Sequence, residues 1–181
     1  MEIEYSLDEK DYLEYLLYEG SKNKFNIEKR KQSRSIIFFI ILAVVMFPLL
    51  SGDFLVAIFY SFIALFFLVF YPKYQSWVYK KYYIRTTNES YKNNFGELTR
   101  LILNENNIEA LSPYTELKIK NEAFVAINEI ENYIFLKTNY GGTIVIPKLK
   151  ISNLEDFKKY LKLMMQKYDI KENIELDWKW K

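Results

Sequence analysis

Between Ile36 and Tyr71 the chain carries one formal charge, Asp53. Two apolar blocks, Ile36–Leu50 and Phe54–Tyr71, flank a short polar break at Ser51-Gly52-Asp53. A helix rises ~1.5 Å per residue, so ~20 residues cross a ~30 Å hydrocarbon layer. The second block has 18 residues and fits that length. The first has 15 and needs its flanks, from Ser33 to Ser51, with Arg34 carrying its charge outward along an apolar stem. Pro48 falls in the last turn of that span, where a lost hydrogen bond is least costly. A helix of a soluble domain keeps a polar face at period 3.6. Phe54–Tyr71 keeps none, since only Tyr60 and Ser61 interrupt it. The pattern reads as a membrane-spanning helical hairpin. It starts late, after an acidic segment, and no small-residue cleavage pattern follows, so it does not read as a signal peptide.

Orientation follows from the basic residues. Lys22, Lys24, Lys29, Arg30, Lys31 and Arg34 precede the hairpin, and Lys73, Lys80, Lys81, Arg85 and Lys92 follow it. The turn between the blocks has neither Lys nor Arg. The positive-inside rule then places both flanks, and both termini, in the cytoplasm and the turn outside. Tyr71, Tyr74, Trp77, Tyr79, Tyr82 and Tyr83 read as an aromatic belt at the membrane surface. Arg34, Lys73, Trp77, Lys80, Lys81 and Arg85 are accordingly the candidate membrane-interface residues. Their first role is orientation. A second is binding of anionic headgroups, at ~1 kcal/mol per well-placed cation.

Composition excludes much chemistry. The chain of 181 residues has no Cys and no His. Disulfides, zinc-finger sites, Cys–His nucleophiles and Ser–His–Asp triads are therefore absent. A net charge of +2 makes nucleic acid a poor partner. No cofactor or metal motif is present. Gly141-Gly142 lacks the spacing of a phosphate loop and reads as a turn. Glu129 and Glu131, ~7 Å apart if in a strand, read as surface carboxylates. Asp53, beside Gly52, reads as a solvated turn residue. Abundant Lys, Asn, Ile and Tyr with few Gly and Pro point to an AT-rich bacterial genome.

The flanks carry their own patterns. Glu2–Tyr5 alternates as a short strand. Ser6-x-x-Glu9 and Ser152-x-x-Glu155 match capping boxes that open helices. Leu13, Leu16 and Leu17 make the first helix amphipathic, and Gly20-Ser21 is expected to weaken or bend it. Pro72 marks the exit of the hairpin; residues 73–87 read as helix and Thr86–Gly96 as a polar connection. Leu98–Leu103, Ile108–Leu111, Glu116–Lys120, Tyr133–Thr138 and Thr143–Ile146 read as strands. Residues 122–130 fit either state: Phe124, Ile127 and Ile130 share a helical face, while Val125 and the neighbouring segments favour strand. Leu154, Phe157, Leu161, Met164 and Tyr168 give the second helix its buried stripe. Ile174, Leu176, Trp178 and Trp180 alternate, as a last edge strand or, second, as an aromatic foot on the membrane.

The expected architecture is a membrane α-helical hairpin plus an α+β cytosolic domain, an antiparallel sheet with one C-terminal helix in a PH-like order. The segments are 1–34 (N-terminal, with an amphipathic helix), 35–72 (hairpin), 73–95 (aromatic and basic connector) and 96–181 (C-terminal domain). The chain resembles the bacterial YcxB-like family in Tyr5–Leu13, in the place of the hairpin, and in Ala126–Leu136, Ile144–Lys148 and the helix after Ser152. The resemblance implies a two-pass membrane protein with a cytosolic domain, and it supplies no catalytic residues. The expected function is a non-enzymatic protein of the bacterial inner membrane. Its hairpin anchors a small binding module at the cytoplasmic face, with the bilayer and a protein or anionic headgroups as partners. The alternative is an immunity or stress-protection protein against a membrane-active toxin.

Overall fold

The computed structural model describes residues 1–181, in two compact units. The first comprises residues 1–15 and 86–179; the second comprises 16–85 with 180–181. Helices α1 (Glu9–Lys22), α2 (Lys24–Leu50) and α3 (Phe54–Ser90) lie in sequence between strands β1 (Glu2–Ser6) and β2 (Leu98–Leu103). Strands β3 (Asn107–Ser112), β4 (Thr115–Lys120), β5 (Phe124–Glu129), β6 (Tyr133–Thr138) and β7 (Thr143–Pro147) follow, then α4 (Leu154–Tyr168) and β8 (Lys171–Ile174).

In the first unit, β1-β2-β3-β4 form one antiparallel sheet. Its buried face is set by period-two alternation. Ile3 sits opposite Leu101, Leu103 opposite Ile108, and Ile108 opposite Ile119, and all five are buried. Each such side chain is worth roughly 1.5–3 kcal/mol when withdrawn from water. The second sheet has the order β7-β6-β5-β8, and only the β5–β8 pair is parallel. Strand β6 is covered on both faces: Tyr133, Ile134, Phe135 and Leu136 are all buried. Tyr133 and Phe135 stack on one side, where Tyr15 of α1 meets Phe135 at 5.9 Å. On α4, Phe157, Leu161 and Met164 are buried as the stripe predicts.

Residues 124–129 are strand, and a bulge explains their helix-like spacing. The β5–β6 register shifts between Phe124 and Ala126. One extra residue reverses the parity, so Phe124 and Ile127, three apart, both turn inward.

Neither expected capping box forms. Ser6 is still paired in β1, opposite Leu98. The α1 cap lies two residues on, where the Asp8 N–H donates to Asp11 Oδ2 (2.7 Å) and the Asp11 N–H to Asp8 Oδ1 (3.1 Å). Ser152 likewise lies outside α4, whose N-cap is Asn153. The last strand is β8, upstream of the alternating tail. From Glu175 the backbone turns, and Trp178 donates its N–H to the Glu175 carbonyl.

The second unit is an antiparallel helix pair. Its turn is a Schellman closure: the Gly52 N–H reaches the Leu49 carbonyl and the Asp53 N–H reaches that of Pro48. Gly52 takes φ +83°, a conformation that a β-carbon would strain. The carbonyl of Asp53 then accepts from Ala57 to start α3, and the Asp53 carboxylate suits that helix N-terminus. Pro72, read as the exit of the hairpin, does not interrupt the helix. It lies inside α3, which runs on to Ser90, so the first five residues of the expected polar connection are helical. Gly20 lies within α1. The helix continues to Lys22, and Asn23 caps α2 by accepting from the Asn26 N–H. Gly20 is there for a neighbour: a β-carbon would lie 2.0 Å from the Tyr83 hydroxyl oxygen.

That contact yields a test. Gly20→Ala is expected to cost about 1–3 kcal/mol through overpacking. Thermal unfolding of the full chain in detergent, followed by circular dichroism, should show a lower midpoint. Adding Tyr83→Leu should recover most of the loss; no recovery would mean the contact is not the cause.

Candidate functional site

The α2–α3 seam changes character along its length. Toward the turn it is apolar: Ile37, Ile41, Val45, Pro48, Ala57 and Ala64 form the less exposed line of the two helices. Toward the other end it becomes polar. Tyr71, Gln75, Tyr79 and Tyr83 recur every four residues on one stripe of α3. Ser33 and Tyr71 share a hydrogen bond between hydroxyls. Gln75, 5% exposed, bridges two arginines: its Nε2 donates to the Arg30 carbonyl (3.3 Å) and its Oε1 accepts from Arg34 Nε (3.0 Å). Asn26 Nδ2 donates to the Tyr83 hydroxyl at 3.2 Å. The Arg30 guanidinium lies over the rings of Tyr79 (5.7 Å) and Trp180 (5.1 Å). Trp180 also donates its indole N–H to the Ser76 carbonyl at 3.1 Å and meets Tyr83 edge-on.

The six candidate interface residues are all exposed. Two of them meet: Lys81 Nζ lies 3.8 Å from the centroid of the Trp77 ring, a cation–π contact one helical turn apart. Lys73 lies over Phe70 at 5.7 Å. Arg34 meets Gln75, while Lys80 and Arg85 project from α3 beyond them. The aromatic belt divides. Tyr74, Trp77 and Tyr82 face outward, whereas Tyr79 is half-buried and Tyr83 buried in the seam. Gln75 was not singled out from the sequence, where Arg30 reads only as an orienting cation, Ser33 as the start of the first span and Trp180 as part of the alternating tail. The four-residue repeat of Tyr71, Gln75, Tyr79 and Tyr83 was the available signal.

The first unit holds two enclosed ionic clusters. Asp11, 3% exposed, accepts from the Tyr133 hydroxyl (2.9 Å) and from Lys150 Nζ (2.6 Å), which also reaches Asp8. Burial and the neighbouring Asp11 carboxylate push the Tyr133 phenol well above its ordinary range. Glu129 accepts from both Lys148 and Lys158, the latter at 2.8 Å. Burial raises its pKa, but the two lysine hydrogen bonds outweigh that and hold the carboxyl below its usual value. Glu131, by contrast, is exposed in the β5–β6 turn and does not pair with Glu129 as a catalytic dyad would. A groove of about 320 Å³ beside Glu129 is floored by Ile127, Ile134 and Leu161 and rimmed by Lys158, Lys162 and Glu172. Both clusters tie elements together: α1 to the segment after β7 in one case, β5 to α4 in the other. No three Asp or Glu side chains gather as a metal ion requires.

Residues 103–164 match the model of the family described as YcxB-like protein. The match begins at the end of β2 and closes within α4, and it bears out the resemblance read from Ala126–Leu136 and the segments that follow. No curated protein and no solved structure matches the chain.

The Glu129 cluster predicts a pH dependence. A carboxyl whose folded pKa is depressed contributes stability above its unfolded value of ~4.3, and the contribution disappears as pH falls through the folded value. At pH 7, Glu129→Gln is expected to cost about 2 kcal/mol in urea unfolding of the full chain. As pH falls below about 4 the gap should begin to close, and it should vanish only beneath the depressed folded value. A constant gap across that range would show that the charge is not responsible.

Proposed function

We propose that this chain, with its YcxB-like region, is a two-pass protein of a bacterial cell membrane. Its hairpin anchors a PH-like binding module at the cytoplasmic face. The observation that carries the reading is the β1–β2 ladder, which pairs Glu2–Ser6 with Leu98–Ile102. Two strands of one sheet occupy one compartment. The chain between them therefore crosses a bilayer an even number of times. Only α2 and α3 are long and apolar enough to cross, with mean hydropathies of 2.3 and 2.5 over their best windows. Both cross, or neither does. If neither did, side chains such as Leu50 (82% exposed), Leu55 (85%) and Phe62 (71%) would stand in water. A core helix would be mostly buried, and only 6% of each window is. Lipid is the solvent that such a surface fits.

The basic flanks then choose the side. Ten of the cations named for orientation lie between Lys22 and Arg85, all on the limb of the hairpin away from Ser51–Asp53. Seven strands in two sheets followed by helix α4 support the PH-like reading, with β1 and β2 split by the hairpin and β8 added in parallel after the helix. The role at that face is binding of a protein or of anionic headgroups, without catalysis. The two most enclosed carboxylates, Asp11 and Glu129, are already taken up by lysines that hold the fold.

Topology reporters test this directly. Fusions before Glu2 and after Lys181 should be active only in the cytoplasm, and one inserted at Gly52 only outside. An outside signal from either end would overturn the orientation, and a mixed result from the two ends would overturn the two-pass reading.

A further inference from the structure

At the polar end of the seam, α2 and α3 leave a groove of about 430 Å³ whose lining includes Arg34, Ser35, Phe38, Leu68, Tyr71 and Pro72. Its chemistry has two levels. The upper level is polar. The Arg34 Nε is committed to Gln75, itself buried and tied to the Arg30 carbonyl, so the plane of the guanidinium is held. Its Nη groups remain as a fork of donors matched to a phosphate. Ser35 adds a hydroxyl. Pro72 has no N–H to give the Leu68 carbonyl one turn earlier, so this rim also carries a backbone acceptor. The lower level is apolar, with Phe38, Phe39 and Leu68 along the wall. No carboxylate lines the groove, and Lys31 and Lys73 lie close in sequence on either side.

A fixed guanidinium over a greasy slot, with a hydroxyl and a carbonyl that lacks its usual helical donor beside it, fits one kind of molecule. We propose that this groove binds a single anionic phospholipid. Arg34 takes the phosphate, the Leu68 carbonyl and Ser35 take headgroup hydroxyls, and one acyl chain lies along Phe38 and Leu68. Gln75 is a positioning residue that aims Arg34. The proposal rests on the two-pass reading and gives its headgroup partner a defined site. It also separates Arg34 from the other interface cations. Lys80 and Lys81 lie 9 and 10 residues past Tyr71 on one continuous helix, about 14 Å further along its axis. They contribute a diffuse charge and not a site.

The full chain, purified in mild detergent, is titrated with phosphatidylglycerol or phosphatidylcholine of the same acyl chains, and bound lipid is counted by native mass spectrometry. One phosphatidylglycerol should bind at least ~10-fold tighter than phosphatidylcholine. Arg34→Gln should abolish that preference, and Arg34→Lys should keep only part of it, because an ammonium lacks the fork. Lys80→Gln with Lys81→Gln should change it less than about twofold. Leu68→Trp, which fills the slot and leaves every charge in place, should weaken phosphatidylglycerol binding as Arg34→Gln does, so the test survives if the arginine variant fails to fold. Equal binding of the two lipids, or an equal loss in the double-lysine variant, would overturn the site. Alkaline carbonate extraction of membranes keeps the two readings apart. Release of the wild-type chain would defeat the anchor itself, whereas retention with an inert Arg34→Gln would defeat only the lipid site.

Discussion

The ladder between β1 and β2 is the constraint on which the rest depends. Glu4 and Arg100 are 96 residues apart, yet they face each other across it and form an ion pair. Everything between them, two long apolar helices included, is an insertion between neighbouring strands of one sheet. Closing so long a loop costs conformational entropy that grows only slowly with length. The buried pair Ile3–Leu101 and the backbone bonds on either side offset it. The ladder also makes the hairpin obligatory in form, since one crossing helix would put the two strands in different compartments.

The helix pair solves a different problem. Apolar side chains give two helices no reason to associate in lipid, because the lipid is as apolar as they are. What distinguishes this pair is the polar end of its seam. Ser33 with Tyr71, Gln75 with Arg30 and Arg34, and Asn26 with Tyr83 fix both register and rotation. A slip of one turn would leave Gln75, which is buried, without its partners. The seam is thus specified at its polar end and is left smooth where only apolar side chains face each other.

Much of this was legible. The hairpin, its turn at Ser51–Asp53 and six of the eight strands follow from hydropathy and alternation alone. What the sequence hid was mostly non-local. Glu2–Tyr5 alternates, but nothing in it names Leu98–Ile102 as its partner. Phe124 and Ile127 look helical because a bulge in β5 shifts their parity, and Ile130 lies just past the strand's end. Ser6 and Ser152 match a cap motif, but β1 holds Ser6 and Asn153 takes the other cap position. Pro72 reads as the exit of the hairpin, and the helix runs on through it because partners on its stripe let it tolerate one missing N–H. At the site, the outward cations were evident and the residue that aims one of them, Gln75, was not. A lone glutamine among tyrosines carries no motif; only its four-residue spacing from Tyr71 and Tyr79 marks it.

The order of strands along the chain also sets a clock. During synthesis β1 emerges more than ninety residues before β2 is complete. At ~5–20 residues per second the strand waits roughly 5–20 s for its partner. In that interval both apolar helices are made. If they cross a bilayer, as proposed above, the sheet can close only when they return the chain to the side where β1 was left. On the two-pass reading proposed above, completion of the β domain would report that the hairpin has been threaded correctly. A chain whose hairpin is mis-threaded keeps an unpaired first strand and an open sheet edge on β2, the kind of exposed backbone that quality-control proteases recognise.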